Sequence, residues 1–165
     1  MQLNTYKLTF IITAVIFLFF AILGISQPTW ARDMISFTDS KGGAIKIKTE
    51  HFDTPQAKQF MTSGKNPYIG DKNAIESGKK IYHLYSCNQC HGSNAQGQTA
   101  HGLTGPRYNH PRSAEDKGMF EITWAGTDGG MSAKGKGLMD PSDPNNGMTP
   151  DELLKVIAWI RSQGS

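Results

Sequence analysis

From Leu8 to Ile25 the chain is an almost unbroken apolar run, preceded by the lone charge of Lys7 and followed by Ser26, Gln27, Pro28 and the stretch Thr29-Trp30-Ala31. An early positive charge, an apolar run and a stretch resembling a signal-peptidase site read as a signal peptide over residues 1–31. At about 18 residues the run is nearly long enough to span a bilayer core, which makes an uncleaved N-terminal anchor the competing reading. Either reading places the rest of the chain outside the cytoplasm. Beyond the leader the rhythm changes to alternation. Ile35-Ser36-Phe37-Thr38 and Ala44-Ile45-Lys46-Ile47-Lys48 flank Asp39-Ser40-Lys41-Gly42-Gly43, the pattern of a small hairpin.

Helical spacing follows. Thr54-Pro55, then Ala57, Phe60 and Met61, then Gly64 predict a short helix with a cap, a proline at its first position and a glycine stop. Ala74 to Tyr85 places Ile75, Gly78, Ile81, Tyr82 and Tyr85 on one face, with Asp71 or Asn73 as the cap. Residues 94–112 lack periodicity and read as a long loop, a kind of segment that is usually functional. A third helix is predicted from Ala114 to Ala125, capped by Ser113 and weakened by Gly118, with Met119, Phe120, Ile122 and Trp124 facing inward. Residues 126–148 are irregular again. Thr149, Pro150 and Glu152 then form a capping box ahead of Leu153, Leu154, Val156, Ile157 and Ile160, the clearest helix in the chain. Residues 32–70 thus form an N-terminal extension with hairpin and short helix, and residues 71–165 the main domain.

Composition sharpens this outline. Of 165 residues 38% are hydrophobic, but nearly a third of those fall in the leader, which leaves one domain with a lean core. Eighteen glycines and eight prolines argue for a loop-rich fold. The 17 basic and 14 acidic residues nearly balance, and the basic ones are scattered, so the charge pattern offers no nucleic-acid footprint. Only two cysteines are present, Cys87 and Cys90, too few and too close for a disulfide framework.

Those cysteines belong to Cys87-Asn88-Gln89-Cys90-His91, a C-x-x-C-H sequence of the kind that attaches c-type haem. Two thiols about one helical turn apart can each add to a porphyrin vinyl group, and the adjacent imidazole reaches the iron as an axial ligand. A covalently held ring also supplies the apolar area that the composition lacks. A thioredoxin-like pair would need a βαβ context, and a zinc site would need a second knuckle; the pattern offers neither. For the sixth iron position a methionine thioether is the soft ligand to expect. Met131 follows Gly129-Gly130 in an irregular loop where no helical stripe calls for it, and is the first choice. Met139 is its main rival. Met119 fits a helix core, Met148 sits where it would pack on the last helix, and His101 or His110 would give a bis-histidine site.

Taken together these residues resemble a class I cytochrome c: Gly78-Lys79 and Tyr82 ahead of Cys-x-x-Cys-His-Gly, then Gly105-Pro106, a methionine loop and Ala158-Trp159-Ile160-Arg161. Asn66-Pro67-Tyr68, Gly118-Met119-Phe120-Glu121-Ile122, Ala125-Gly126 and Thr149-Pro150-Asp151-Glu152 are similar to the cytochrome cL branch. The resemblance implies an all-α fold in which the helix around Gly78 crosses the one around Trp159. It implies that the Pro106 carbonyl accepts the Nδ1 proton of His91, and it supports Met131 as the sixth ligand. It further implies a non-enzymatic periplasmic carrier. Such a carrier takes single electrons from a quinoprotein (PQQ) methanol dehydrogenase and passes them to another cytochrome c or a terminal oxidase. A different alcohol or aldehyde dehydrogenase as donor, and a haem enzyme or sensor with an open sixth position, are the alternatives. Some members of the branch bind calcium, but no compact carboxylate cluster in the chain assigns such a site. The net charge of +3 departs from the acidic balance usual in the branch.

Overall fold

The computed structural model describes residues 34–164, so the leader reading lies outside the described residues. Its elements are strands β1 (Phe37–Thr38) and β2 (Ala44–Ile45), then helices α1 (Pro55–Ser63), α2 (Lys72–Leu84), α3 (Asn88–His91), α4 (Asp116–Ala125) and α5 (Pro150–Gln163). Single 3-10 turns at Thr49–His51 and Pro111–Ala114 were not legible in the periodicity.

The hairpin is shorter than the alternation suggested. Phe37 pairs with Ile45 and Thr38 with Ala44, antiparallel. The turn is set by Asp39, whose Oδ1 accepts hydrogen bonds from the amides of Lys41 and Gly43, both at 2.8 Å. Before the strand, the Ile35 amide is already committed to the Met61 carbonyl at 3.0 Å, so pairing cannot extend in that direction. Phe37 carries the hairpin into the core, with its ring centroid 5.4 Å from Phe120 and 5.9 Å from Phe60.

Both long helices begin where their side chains can satisfy free amides. Asp71, rather than Asn73, caps α2 by accepting from the amides of Asn73 and Ala74. Thr149 and Glu152 form the capping box of α5. The crossing of α2 and α5 builds the centre of the molecule. Gly78 lies so close to the Lys155 carbonyl that a Cβ could not be accommodated, and the Tyr82 and Trp159 rings pack with centroids 4.4 Å apart.

The third predicted helix needs a correction. It starts at Asp116, with Glu115 in the cap position and no side-chain cap; Ser113 lies instead in the Pro111–Ala114 turn, where it is buried. Pro111 sets the φ of that turn, and its next residue folds onto Gly118, whose missing Cβ leaves room for the Arg112 carbonyl. From α5, Arg161 holds the same turn by donating to the Ser113 carbonyl at 2.9 Å and to Asp116 Oδ1 at 3.1 Å. The 126–148 segment is irregular as expected, yet it carries one parallel bridge, Gly135 with Met148, beside the Trp124 ring.

Candidate haem site

Helix α2 ends at Leu84, and Ser86, at φ +56°, turns the chain sharply so that the Cys87 amide bonds back to the Tyr82 carbonyl at 3.1 Å. Cys87 then leads into the single-turn helix α3. Amides of Cys90 and His91 both reach the Cys87 carbonyl, at 3.3 and 2.9 Å. One short helix therefore holds the two thiols a turn apart and places the imidazole directly after them. The two cysteines are not joined in a disulfide; Cys87 is half-buried and Cys90 exposed.

Gly92, at φ +80°, ends α3, and its carbonyl accepts the Tyr82 hydroxyl at 2.8 Å. Burial pushes the Tyr82 hydroxyl up, so it stays a donor across the neutral range. That bond ties the end of the C-x-x-C-H turn to α2, and through the Tyr82–Trp159 contact to α5. The sequence places Tyr82 on the apolar face of α2 and among the residues that resemble a class I cytochrome c, but nothing in it marks this bond.

The partner of the His91 ring differs from the expectation. Its Nδ1 lies 2.8 Å from the carbonyl oxygen of His101, not from that of Pro106. The reason is local backbone pairing. Gly97 donates to the His91 carbonyl at 2.8 Å and Ala100 to the Cys90 carbonyl at 2.9 Å, folding the 92–101 loop back so that residue 101 meets the ring. Pro106, after a cis peptide with Gly105, is exposed and is not among the cavity-lining residues. A carbonyl only accepts, so Nδ1 carries the hydrogen and Nε2 keeps its lone pair for a metal.

A cavity of about 720 Å³ opens beside this turn. Cys87, Cys90, His91 and Met131 all line it, together with Leu103 and Tyr108. A narrower apolar recess of about 50 Å³ continues inward and shares Cys87, His91 and Met131 while adding Met119, Val156 and Ile157. The size suits a large flat cofactor, and two thiols, an imidazole and a thioether facing one space are the donor set of a covalent haem. The residues present fit the group.

The other candidate ligands are placed differently. Met139 is 39% exposed and lines neither space. Met119 is buried in the core at the end of the narrow recess, and Met148 is fully buried beneath α5. His101 and His110 do line the wider cavity, as loop residues at its rim. Met131 sits in a tight turn in which the Thr127 amide bonds to its carbonyl at 2.8 Å, and Gly126, at φ +77°, gives the backbone room to pass that carbonyl. Among the described residues no group of three or more His, Cys, Asp and Glu side chains is placed to hold a separate metal ion such as calcium.

Comparisons with known proteins identify the family. A model of the cytochrome c family matches residues 75–164. Cytochrome c-L of Methylorubrum extorquens is 37% identical over 109 residues, which cover 66% of this chain and 50% of that protein. The chain thus spans about half the length of that curated relative. The crystal structure of cytochrome cL from Hyphomicrobium denitrificans superposes with a TM-score of 0.65 at 34% identity, covering 78% of this chain and 73% of that one. Cytochrome cL from the marine methylotrophic bacterium Methylophaga aminisulfidivorans gives the same TM-score at 27% identity, covering 78% and 80%.

Proposed function

The chain belongs to the cytochrome c family and is a cytochrome cL-like, class I c-type electron carrier with covalently attached haem c; from that membership we propose that it accepts single electrons from a quinoprotein methanol dehydrogenase in the periplasm. It passes them to another cytochrome c or to a terminal oxidase. The haem supplies a one-electron Fe(III)/Fe(II) couple, and no substrate is converted chemically.

The protein's own residues do the rest. Cys87 and Cys90 would hold the ring by thioether bonds, and Cys87 at the cap of α3 and Cys90 within it are kept a turn apart. His91 would offer Nε2 to the iron, while the His101 carbonyl holds Nδ1–H and with it the angle of the imidazole. Met131 would offer its sulfur from the 126–148 loop. A thioether at that position favours the ferrous form and closes the metal to small molecules. Apolar walls from Leu103, Ile122, Val156 and Ile157 would lower the polarity around a bound metal, which would raise the cost of the extra ferric charge.

The observation that carries this reading is the convergence of Cys87, Cys90, His91 and Met131 on one cavity. That convergence also favours a capped carrier over a haem enzyme or sensor with an open sixth position. For the donor, support comes from the cytochrome cL likeness and from the methylotrophic source of one structural relative.

The test is stopped-flow reduction of the purified ferric protein by methanol dehydrogenase from the same cell, beside dehydrogenases for other alcohols and aldehydes. Fast second-order reduction by the methanol enzyme is the expected result. Reduction only by one of the others would transfer the assignment to that donor. The exported, haem-loaded form is checked by mass spectrometry of the periplasmic fraction, which should show haem retained after denaturation.

A further inference from the structure

The hairpin lies outside residues 75–164 that match the family model, yet its turn reaches the rim of the haem cavity, where Ser40 is one of the lining residues. Two attachments hold it there. Arg112, which follows the cavity-lining His110 by two positions, donates from its guanidinium to the carbonyls of Thr38 and Asp39 at 2.9 and 2.8 Å and to Thr38 Oγ1 at 3.0 Å. Glu121, buried on α4, accepts from the Thr38 amide at 2.7 Å and from Lys117 at 2.6 Å, and stands 3.4 Å from Arg112. On the far side of the turn Lys41 pairs with Asp128 at 3.1 Å. Asp128 lies within the tight turn that Thr127 and Met131 close by a backbone bond.

We propose that the hairpin is a clasp: Arg112 and Glu121 anchor its turn, and the turn holds the Met131 loop against the cavity. Arg112 and Glu121 are thereby positioning residues for the sixth-ligand loop, a role that rests on the reading of Met131 given above. The physical case is the unequal strength of the two attachments. The Lys41–Asp128 pair is exposed at both ends and weak by itself. Arg112 and Glu121 are charged groups hydrogen-bonded out of full contact with water, where losing one partner strands the other. Arg112 and the buried Glu121 therefore fix the backbone of residues 38 and 39, and the exposed pair needs only to couple that fixed edge to the Met131 side of the cavity. A purely structural hairpin would leave the Met131 turn indifferent to these residues.

The experiment uses the haem-loaded protein and reads amide hydrogen exchange at Thr127, with amides in the middle of α5 as the internal reference. In Arg112→Gln the Thr127 amide is expected to exchange about tenfold faster than in the parent, with the α5 amides unchanged. Carbon monoxide association with the ferrous form should accelerate in the same variant. Exchange at Thr127 that matches the parent, or that rises only in step with α5, would overturn the clasp. Should Arg112→Gln fail to accumulate folded, Lys41→Ala probes the same coupling from the surface. Two- to threefold faster exchange at Thr127, about what an exposed pair contributes, is then expected, and no change refutes it. Met131→Ala separates the two ideas. If it keeps the sulfur-to-iron charge-transfer band, the ligand reading is wrong, whereas the clasp is still judged by Thr127 exchange alone.

Discussion

Gly78 on α2 packs against the backbone carbonyl of Lys155 on α5, leaving no room for a methyl group between the two helices. The obstacle is backbone, which cannot rotate aside as a side chain would. Gly78→Ala would relieve the glycine penalty in a helix, ~1 kcal/mol, but the overpacking at the crossing outweighs it, at about 1–3 kcal/mol or more. A net loss of stability is expected, read as a lower midpoint in thermal or denaturant unfolding of the haem-loaded protein. An unchanged or higher midpoint would mean that the helices do not meet at this glycine.

The sixth ligand can be tested by substitution. Met131→Ala should abolish the sulfur-to-iron charge-transfer band of the ferric protein and open the ferrous protein to carbon monoxide, while Met139→Ala should leave both unchanged. The reverse pattern would exchange the roles of the two residues.

Tyr82 donates to the carbonyl of the residue immediately after His91. Tyr82→Phe keeps the ring packed on Trp159 and removes only that bond, so the expected cost is about 1 kcal/mol with haem attachment intact. Chemical denaturation together with the mass of the denatured protein checks both halves of the expectation. A variant as stable as the parent would show that the bond does not hold the turn.

Asp151 sits in the first turn of α5, where its carboxylate accepts from Tyr68 at 2.6 Å, from Thr54 at 2.8 Å and from Lys155 at 2.6 Å. Burial favours the neutral acid, but the hydrogen bonds from Lys155, Tyr68 and Thr54 outweigh it and hold the carboxyl below its ordinary value. Its folded value therefore lies below the unfolded one of about 3.9. The unfolded chain binds more protons through that window, so the stabilisation is present above it and is lost as pH falls through the folded value. Asp151→Asn should cost about 2 kcal/mol at neutral pH and flatten the acid limb of a stability-against-pH curve. A variant with the parent's acid limb would assign that limb to other carboxylates.

The hydroxyl on the other side of this bond responds in the opposite direction. Burial first, then the bond to Asp151, pushes the Tyr68 hydroxyl well up from its ordinary value near 10. That contribution is complete below pH ~10 and is lost as pH rises further. Tyr68→Phe should therefore lower stability at neutral pH and weaken the alkaline decline, as unfolding midpoints at several pH values would reveal.

Some of the molecule could be read from its residues in order. Thr149, Pro150 and Glu152 announce α5 because capping is satisfied within four residues. Gly64 ends α1 for a similarly local reason. The Cys87-to-His91 motif carries its chemistry in its spacing, since a single helical turn suffices to present both thiols and the imidazole. The misplacements have a common origin. Ser113 looks like a helix cap beside Ala114, yet Arg161, 48 positions further on, takes its carbonyl and holds it in a separate turn. The His91 partner moved from Pro106 to His101 because bonds from Gly97 and Ala100 fold the intervening loop back on itself. Lys117, four residues earlier, is a local partner of Glu121, but no local pattern marks Glu121 as buried or as bonded to Thr38 and Arg112, which come from outside its helix.

Chain order alone thus settled the starts of α1 and α5 and the spacing of Cys87, Cys90 and His91, because each depends on interactions spanning only a few residues. Which carbonyl steadies that imidazole, which methionine shares its cavity and what braces the rim were decided only in three dimensions. Those outcomes rest on contacts beyond the reach of a helical turn, from 10 residues apart for His91 and His101 to 83 for Thr38 and Glu121, where packing and hydrogen-bond satisfaction choose among partners that look equivalent along the chain.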